Sequence, residues 1–147
     1  MHYEKISNKT LTIGEVKIFC SKNSVLDQII ETANRVIFNI YPSEEGIDWN
    51  DMDSHFLWRE RVRENPQLLF AYDFSGRLMW KFPSKNVTGF ESEVPELKKE
   101  ADFATPEHYQ KYVGKYKGKE LLIVYAGDFQ YRVDAESGEI YGKSITR

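Results

Sequence analysis

The sequence is poor in cysteine and has no long apolar run, and each absence excludes a class of protein. Cys20 is the only cysteine among the 147 residues, so a disulfide within the chain is impossible. We expect a buried, unreactive thiol at that position. No stretch approaches the roughly 20 apolar residues that a membrane-spanning helix requires, and residues 1–5 lack the apolar core of a signal peptide. We therefore expect a cytoplasmic protein with no membrane association.

The chain also lacks an excess of positive charge and the motifs of the common catalytic and metal sites. Its formal net charge of −3 predicts no nucleic-acid partner, and the lysine-rich stretch 111–119 is interpreted as a solvated loop. The spacings H-x-x-x-H, C-x-x-C and G-x-S-x-G are absent, as is a phosphate-binding glycine loop. The sequence thus predicts no catalytic residue, no metal site and no cofactor, and it favours a function other than catalysis.

What the chain has instead is a repeated phrase of two strands joined by a tight turn. The phrase runs over 69–80 and again over 129–141. In both copies an apolar strand ends at an aspartate, Asp73 or Asp134, and a Ser-Gly pair follows. Aspartate caps a turn with its own side chain, and glycine supplies the positive φ that the reversal needs. Both copies are therefore predicted to be antiparallel hairpins, and turn capping explains the two aspartates without catalysis.

The two phrases resemble the strand-turn-strand unit of PQQ-type β-propeller repeats, whose pattern is D-x-x-T/S-G-x-x-x-W. The matching residues are Asp73 to Trp80, one residue shorter at the turn, and Asp134 to Tyr141, with tyrosine in place of the tryptophan. The resemblance implies hairpin geometry alone and no quinone cofactor, because two units cannot close a propeller of about four or more blades. The chain as a whole is similar in style to small bacterial proteins, including proposed immunity partners of toxins.

Periodicity and turn residues predict the remaining elements. They are a strand over 10–20 broken at Gly14, a helix over 24–34, a strand over 35–41 closed by Pro42, a short helix over 56–64, a loop over 83–93, one or two helical turns over 95–101, a helix capped by Thr105 and ended by Gly114, and a three-stranded meander over 121–143 that turns at Gly127-Asp128. The predicted class is α+β, mainly β: an antiparallel sheet of hairpins with two or three short helices packed on it. Both repeated hairpins are placed in that sheet, within a single domain over 1–147.

The acidic and aromatic segment 48–60 is the candidate functional site. Its candidate partner-binding residues are Trp49, Asp51, Asp53, His55, Trp58 and Arg59. Tryptophan and arginine are frequent at the centres of protein interfaces, which favours a partner-binding surface. Two other interpretations stay open: a structural loop whose acids cap turns, and a metal or small-ligand pocket around Asp51, Asp53 and His55. The spacing does not fit a calcium-binding EF-hand, because Met52 stands at the fifth loop position and the turn glycine is absent.

The leading hypothesis for function is a non-enzymatic protein-binding or regulatory domain of immunity type, acting through residues 44–63. The alternative is an enzyme or small-ligand-binding protein that uses the acidic and histidine side chains of 48–60. An exposed edge strand could also pair with its copy in a second chain and give a homodimer. If Trp49 and Trp58 belong to a binding surface, their replacement weakens partner binding without unfolding the domain.

Overall fold

The computed structural model describes residues 1–146, and most of its regular structure is strand. Within that range eleven strands form three antiparallel sheets. The first sheet contains β1 (Tyr3–Lys5), β2 (Thr10–Ile13) and β3 (Val16–Phe19). The second contains β4 (Ser24–Glu31), β5 (Val36–Pro42), β6 (Leu68–Tyr72) and β7 (Leu78–Lys81), in that spatial order. The third contains β8 (Val87–Glu93), β9 (Leu121–Ala126), β10 (Phe129–Asp134) and β11 (Ile140–Ile145), also in chain order.

Two α-helices are inserted between strands of these sheets. The first, α1 (Met52–Glu64), lies between β5 and β6 in the chain, and α2 (Pro106–Tyr116) lies between β8 and β9. Two short 3-10 turns, Pro95–Leu97 and Glu100–Asp102, precede α2. Thr105 caps α2, because its side-chain oxygen accepts a backbone N–H of the first turn. The mainly β, antiparallel class predicted from the sequence is confirmed.

The three sheets stack face to face, so the second sheet is buried on both sides. Side chains alternate along its strands: Val36 and Phe38 of β5 pack towards the first sheet, and Ile37 packs towards the third. Leu11 and Ile13 of β2 complete the first of these two apolar interfaces. A strand covered on both faces is apolar at nearly every position, which is why 35–41 could be predicted as a central strand.

Helix α2 forms a further layer on the outer face of the third sheet. Tyr112 and Tyr116 of the helix pack with Leu121 of β9 in an apolar cluster of their own. The guanidinium of Arg132 from β10 lies beside both rings, 5.2 Å from the Tyr112 centroid and 5.3 Å from the Tyr116 centroid. This cation–aromatic packing adds to apolar burial in holding the helix on the sheet.

The repeated phrase forms two hairpins, as predicted, but they lie in different sheets. The first joins β6 to β7 and the second joins β10 to β11. Asp73 Oδ1 accepts the backbone N–H groups of Ser75 and Arg77 at 3.0 Å each, and Asp134 Oδ1 accepts that of Glu136 at 2.8 Å. The prediction that both hairpins share one sheet is wrong, because β4 to β7 form the second sheet and β8 to β11 form the third, with one hairpin in each.

The two hairpins nevertheless touch, through Trp80. The indole Nε1–H donates to the backbone oxygen of Ala135, 2.9 Å away in the turn of the second hairpin. Gly138 in that turn has φ of +78°, and a Cβ there would lie 2.7 Å from the indole, so the approach requires glycine. The turn of the first hairpin meets the first sheet in the same way, since a Cβ on Gly76 would lie 2.6 Å from Val16. An edge-strand side chain thus packs on the glycine turn of the next sheet at both junctions.

The predicted helix over 24–34 is wrong, because residues 24–31 form β4. A β-bulge between Leu26 and Ile29 interrupts the pairing of β4 with β5. Leu26 and Ile29 consequently face the same apolar cluster although they are three residues apart. This spacing matches the apolar stripe of a helix, and periodicity therefore predicted a helix here.

The predicted loop over 83–93 is wrong for a related reason, because β8 occupies 87–93. A register shift between Val87 and Gly89 lets Val87 and Phe90 enter the same core, so the alternation of a regular strand is lost. Helix α2 also continues past Gly114, because burial of Tyr116 extends it. The predictions that are confirmed are the break at Gly14, the strand over 35–41, the helical turns over 95–101, the Thr105 cap and the meander over 121–143 with its turn at Gly127-Asp128.

Replacing Gly138 with alanine is expected to destabilise the fold by about 2–4 kcal/mol, because the new Cβ meets both an unfavourable φ and the indole of Trp80. Gly114→Ala is the matched control. Its Cβ would meet no atom within 4 Å, so alanine in this helix should stabilise the fold by about 0.5–1 kcal/mol. Urea unfolding of both variants measures the two changes. Equal effects of the two replacements would contradict the close packing of Trp80 on the turn.

Candidate functional site

The acidic residues at the start of the candidate segment serve its local structure. Asp51 is the N-cap of α1, since its Oδ1 accepts the backbone N–H of Asp53 at 3.0 Å. Asp48 Oδ1 accepts the N–H of Asn50 at 3.0 Å in the preceding turn. The cap starts the helix at Met52, four residues before the predicted start. Asp53 then lies in the first turn, where a carboxylate favours the positive end of the helix dipole.

Polar side chains hold α1 to the rest of the fold along one face. Arg61 Nη1 donates to the backbone oxygens of Ser43 at 2.7 Å and Glu45 at 2.6 Å. Asn65, which is buried just beyond the helix, accepts the hydroxyl of Ser24 and donates back to the Arg61 oxygen. Ser54 Oγ accepts a backbone N–H from the turn before the helix, at 3.2 Å. These contacts place residues 54, 61 and 65 on the inner face, and Trp58 lies on the same side, against Tyr41.

Apolar side chains occupy the opposite, solvent-facing side of the same helix. The α1 outer face consists of Met52, His55, Phe56, Arg59 and Arg63. Its centre lies about 150° around the helix from the inner face, at 3.6 residues per turn. Met52 is 79% exposed and Phe56 63% exposed, and a shallow cleft of about 340 Å³ lies among the first four of these side chains. Met52 and Phe56 thus face solvent, whereas the apolar side chains of an ordinary amphipathic helix face the core.

The structure brings four of the six predicted residues together. Trp49, 44% exposed, packs edge-on against His55 at 5.5 Å and Trp58 at 5.4 Å between ring centroids. Trp58 is half-buried and also contacts Tyr41 of β5 at 6.0 Å, so it helps to hold the helix. Arg59 is exposed, with its guanidinium 6.0 Å from the Phe56 ring. Asp51 and Asp53 lie at the helix start, away from the centre of the outer face.

Sequence reasoning missed Met52 and Phe56, which are the most exposed apolar residues of the helix. Their spacing with Arg59 and Arg63 follows i, i+4, i+7 and i+11, which is one stripe of a helix. The signal was available once the helix was started at Asp51 rather than at Phe56. The cap residue, a poor helix former that favours N-caps, was the missing cue.

The chemistry that the α1 outer face offers is apolar contact combined with positive charge. Within residues 1–146 no group of three His, Cys, Asp or Glu side chains is arranged to hold a metal ion. Over the same range, neither helix is long and apolar enough to cross a bilayer.

Comparison of the chain with protein-family models, curated proteins and solved structures finds no match. The resemblance of the hairpins to propeller repeats therefore stays a prediction.

Replacing Asp51 with alanine is expected to destabilise α1 by about 1 kcal/mol, because the cap that satisfies an orphan N–H is lost. Asp51→Asn is the matched control and should stay within a few tenths of a kcal/mol, since asparagine caps equally well. Amide hydrogen exchange over residues 53–58 measures the change locally. Unaltered exchange in Asp51→Ala would show that the polar contacts of the inner face alone fix the helix.

Proposed function

We propose that this chain is a non-enzymatic protein-binding domain whose partner docks on the α1 outer face. The observation that carries the proposal is the orientation of Met52 and Phe56, which point away from the fold on a helix held by polar contacts from its other side. Folding gains little from these two side chains in such positions. Apolar patches on a protein surface commonly mark interaction sites.

The composition of the surface fits the centre of a protein interface. Methionine, aromatic side chains and arginine are enriched at interfaces, and Met52, Phe56 and Arg59 supply one of each within two helical turns. Burying a fully exposed side chain of this size contributes about 1.5–3 kcal/mol. Trp49 lies at the rim of the same surface. A helix that presents anchors at i, i+4 and i+7 is suited to insertion into an apolar groove of another protein.

The charges on the helix specify the kind of groove. Arg59 and Arg63 lie on the stripe itself, while Asp53, Glu60 and Glu64 lie together along one flank. Arg63 has one carboxylate neighbour, Glu60 at 3.7 Å, in an exposed pair that contributes little. The partner that complements this pattern has an apolar groove with carboxylates at the end that receives the arginines. A cytoplasmic regulatory role of immunity type, with a toxin as the partner, is the form of this function that the sequence favours.

Replacing Met52 and Phe56 together with alanine is expected to weaken binding of the native partner at least tenfold, because two apolar anchors are removed. The partner is isolated with the wild-type chain and purified, and its dissociation constant is measured by calorimetry. The free energy of unfolding should change by less than about 0.5 kcal/mol, since both side chains are exposed. Arg59→Glu should weaken binding as well, through charge reversal.

Phe19→Ala is the matched control, because it removes an aromatic side chain that is 70% exposed on the first sheet. The control should bind the partner as tightly as the wild-type chain. Equal affinities of the control and the Met52/Phe56 double variant would contradict docking on the α1 outer face.

A further inference from the structure

The two hairpins share an irregularity that allows their strands to be compared position by position. In each, one residue just after the turn is bulged out of the pairing: Met79 in β7 and Tyr141 in β11. The next residue returns to the ladder, Trp80 opposite Ala71 and Gly142 opposite Arg132. Gly142, and not Tyr141, therefore occupies the position of Trp80. Bulges at edge strands such as β7 and β11 also work against pairing with a strand of another chain. The homodimer through an edge strand stays a prediction.

The glycine at this position is not required by the backbone. The six glycines with positive φ do not include Gly142. A Cβ on Gly142 would meet no atom within 4 Å, so a side chain could be accommodated there. What the glycine does is leave open a cleft of about 190 Å³ on the outer face of the third sheet, beside the last turn of α2. Tyr116, Tyr141 and Arg132 are among the side chains that line it.

The walls of this cleft are aromatic and fixed in place. The rings of Tyr116 and Tyr141 lie 5.5 Å apart between centroids, inclined at 54°. The Tyr141 hydroxyl donates to Asp134 Oδ2 at 2.7 Å and accepts from Lys119 Nζ at 2.8 Å. A wall held by two hydrogen bonds loses little conformational entropy when a ligand binds.

Arg132 is the cationic side chain on the cleft's face of the sheet, and no carboxylate is among the lining residues. Lys143 also borders the cleft, but its ammonium lies 4.7 Å from the Phe129 ring on the opposite face. Arg132 donates to Glu93, which lies outside the cleft, through Nε at 2.9 Å and Nη2 at 3.4 Å, and this leaves three of its five guanidinium N–H groups available. Burial raises the pKa of Glu93, but Arg132 and Lys98 outweigh that effect and lower its pKa overall, so the carboxylate stays ionised at neutral pH. Gln130 Nε2 donates to Ser144 Oγ at 3.0 Å and adds a polar floor.

We propose that this cleft is a binding site for a small planar anion, an aromatic carboxylate whose ring lies against Tyr116 and Tyr141 and whose charge faces Arg132. The aromatic walls select a flat ring, and the remaining N–H groups of Arg132 select a negative group. Gly142 supplies the space, since a tryptophan at that position would fill it. The site is independent of the α1 outer face.

The proposal is tested with benzoate as the probe and benzamide as its neutral, similarly shaped comparator. Titration of the full chain, followed by backbone amide NMR shifts, should show benzoate binding at 130–132 and 141–144, with benzamide at least tenfold weaker. Gly142→Trp should weaken benzoate binding at least tenfold, because the indole occupies the cleft. Ile145→Trp, which places the same side chain at a 58% exposed position of the same strand, should leave binding within twofold.

Thermal unfolding of both tryptophan variants checks that each remains folded. The proposal is overturned if benzoate, added at millimolar concentrations up to 20-fold above that of the protein, produces no NMR shifts at these residues. It is also overturned if benzoate and benzamide bind equally, or if Gly142→Trp binds benzoate as the wild-type chain does.

Discussion

The indole of Trp80 lies where the second and third sheets meet, and the order of the layers depends on the room that Gly138 leaves for it. The indole hydrogen bond to Ala135 fixes the turn of one hairpin against the edge strand of the other. Apolar side chains from both sheets then close around this contact, from Ile37 and Leu69 on one side to Val124 and Val133 on the other. Both faces of the second sheet are buried, so its side chains are not accessible to a partner. Any docking surface must therefore lie outside the stack of sheets.

Helix α1 is such a surface because of how it is attached. It is inserted between two strands of the central sheet, yet it contributes no residue to the apolar clusters of the described chain. Hydrogen bonds from Arg61 and Asn65, together with the contact of Trp58 with Tyr41, hold it in place. Hydrogen bonds and one aromatic contact therefore attach the inner side of the helix, and Met52 and Phe56 are available to a partner. Stability and binding consequently rest on different residues.

Local chemistry made much of this fold predictable from the sequence. Asp73 and Asp134 fix their turns through their own side chains, and Thr105 starts α2 with its hydroxyl, so neighbours in the chain determine these features. The bulges in β4 and β8 depend on the register of pairing with another strand, β5 or β9, and they changed the apolar spacing on which the prediction of both segments relied. The candidate segment was found through its tryptophans and arginine. Its exposed face was not, because the predicted helix began at Phe56 instead of after the Asp51 cap, and the contacts of Arg61 and Asn65 then determine which side points outward.

Hydrogen–deuterium exchange of the chain alone and in complex with its purified partner tests the central claim most directly. A partner that docks on the α1 outer face slows exchange over residues 49–63, and it leaves the edge strands β7 and β11 unchanged. Protection confined to the edge strands or to the third sheet, with α1 exchanging as fast as in the free chain, would contradict the account.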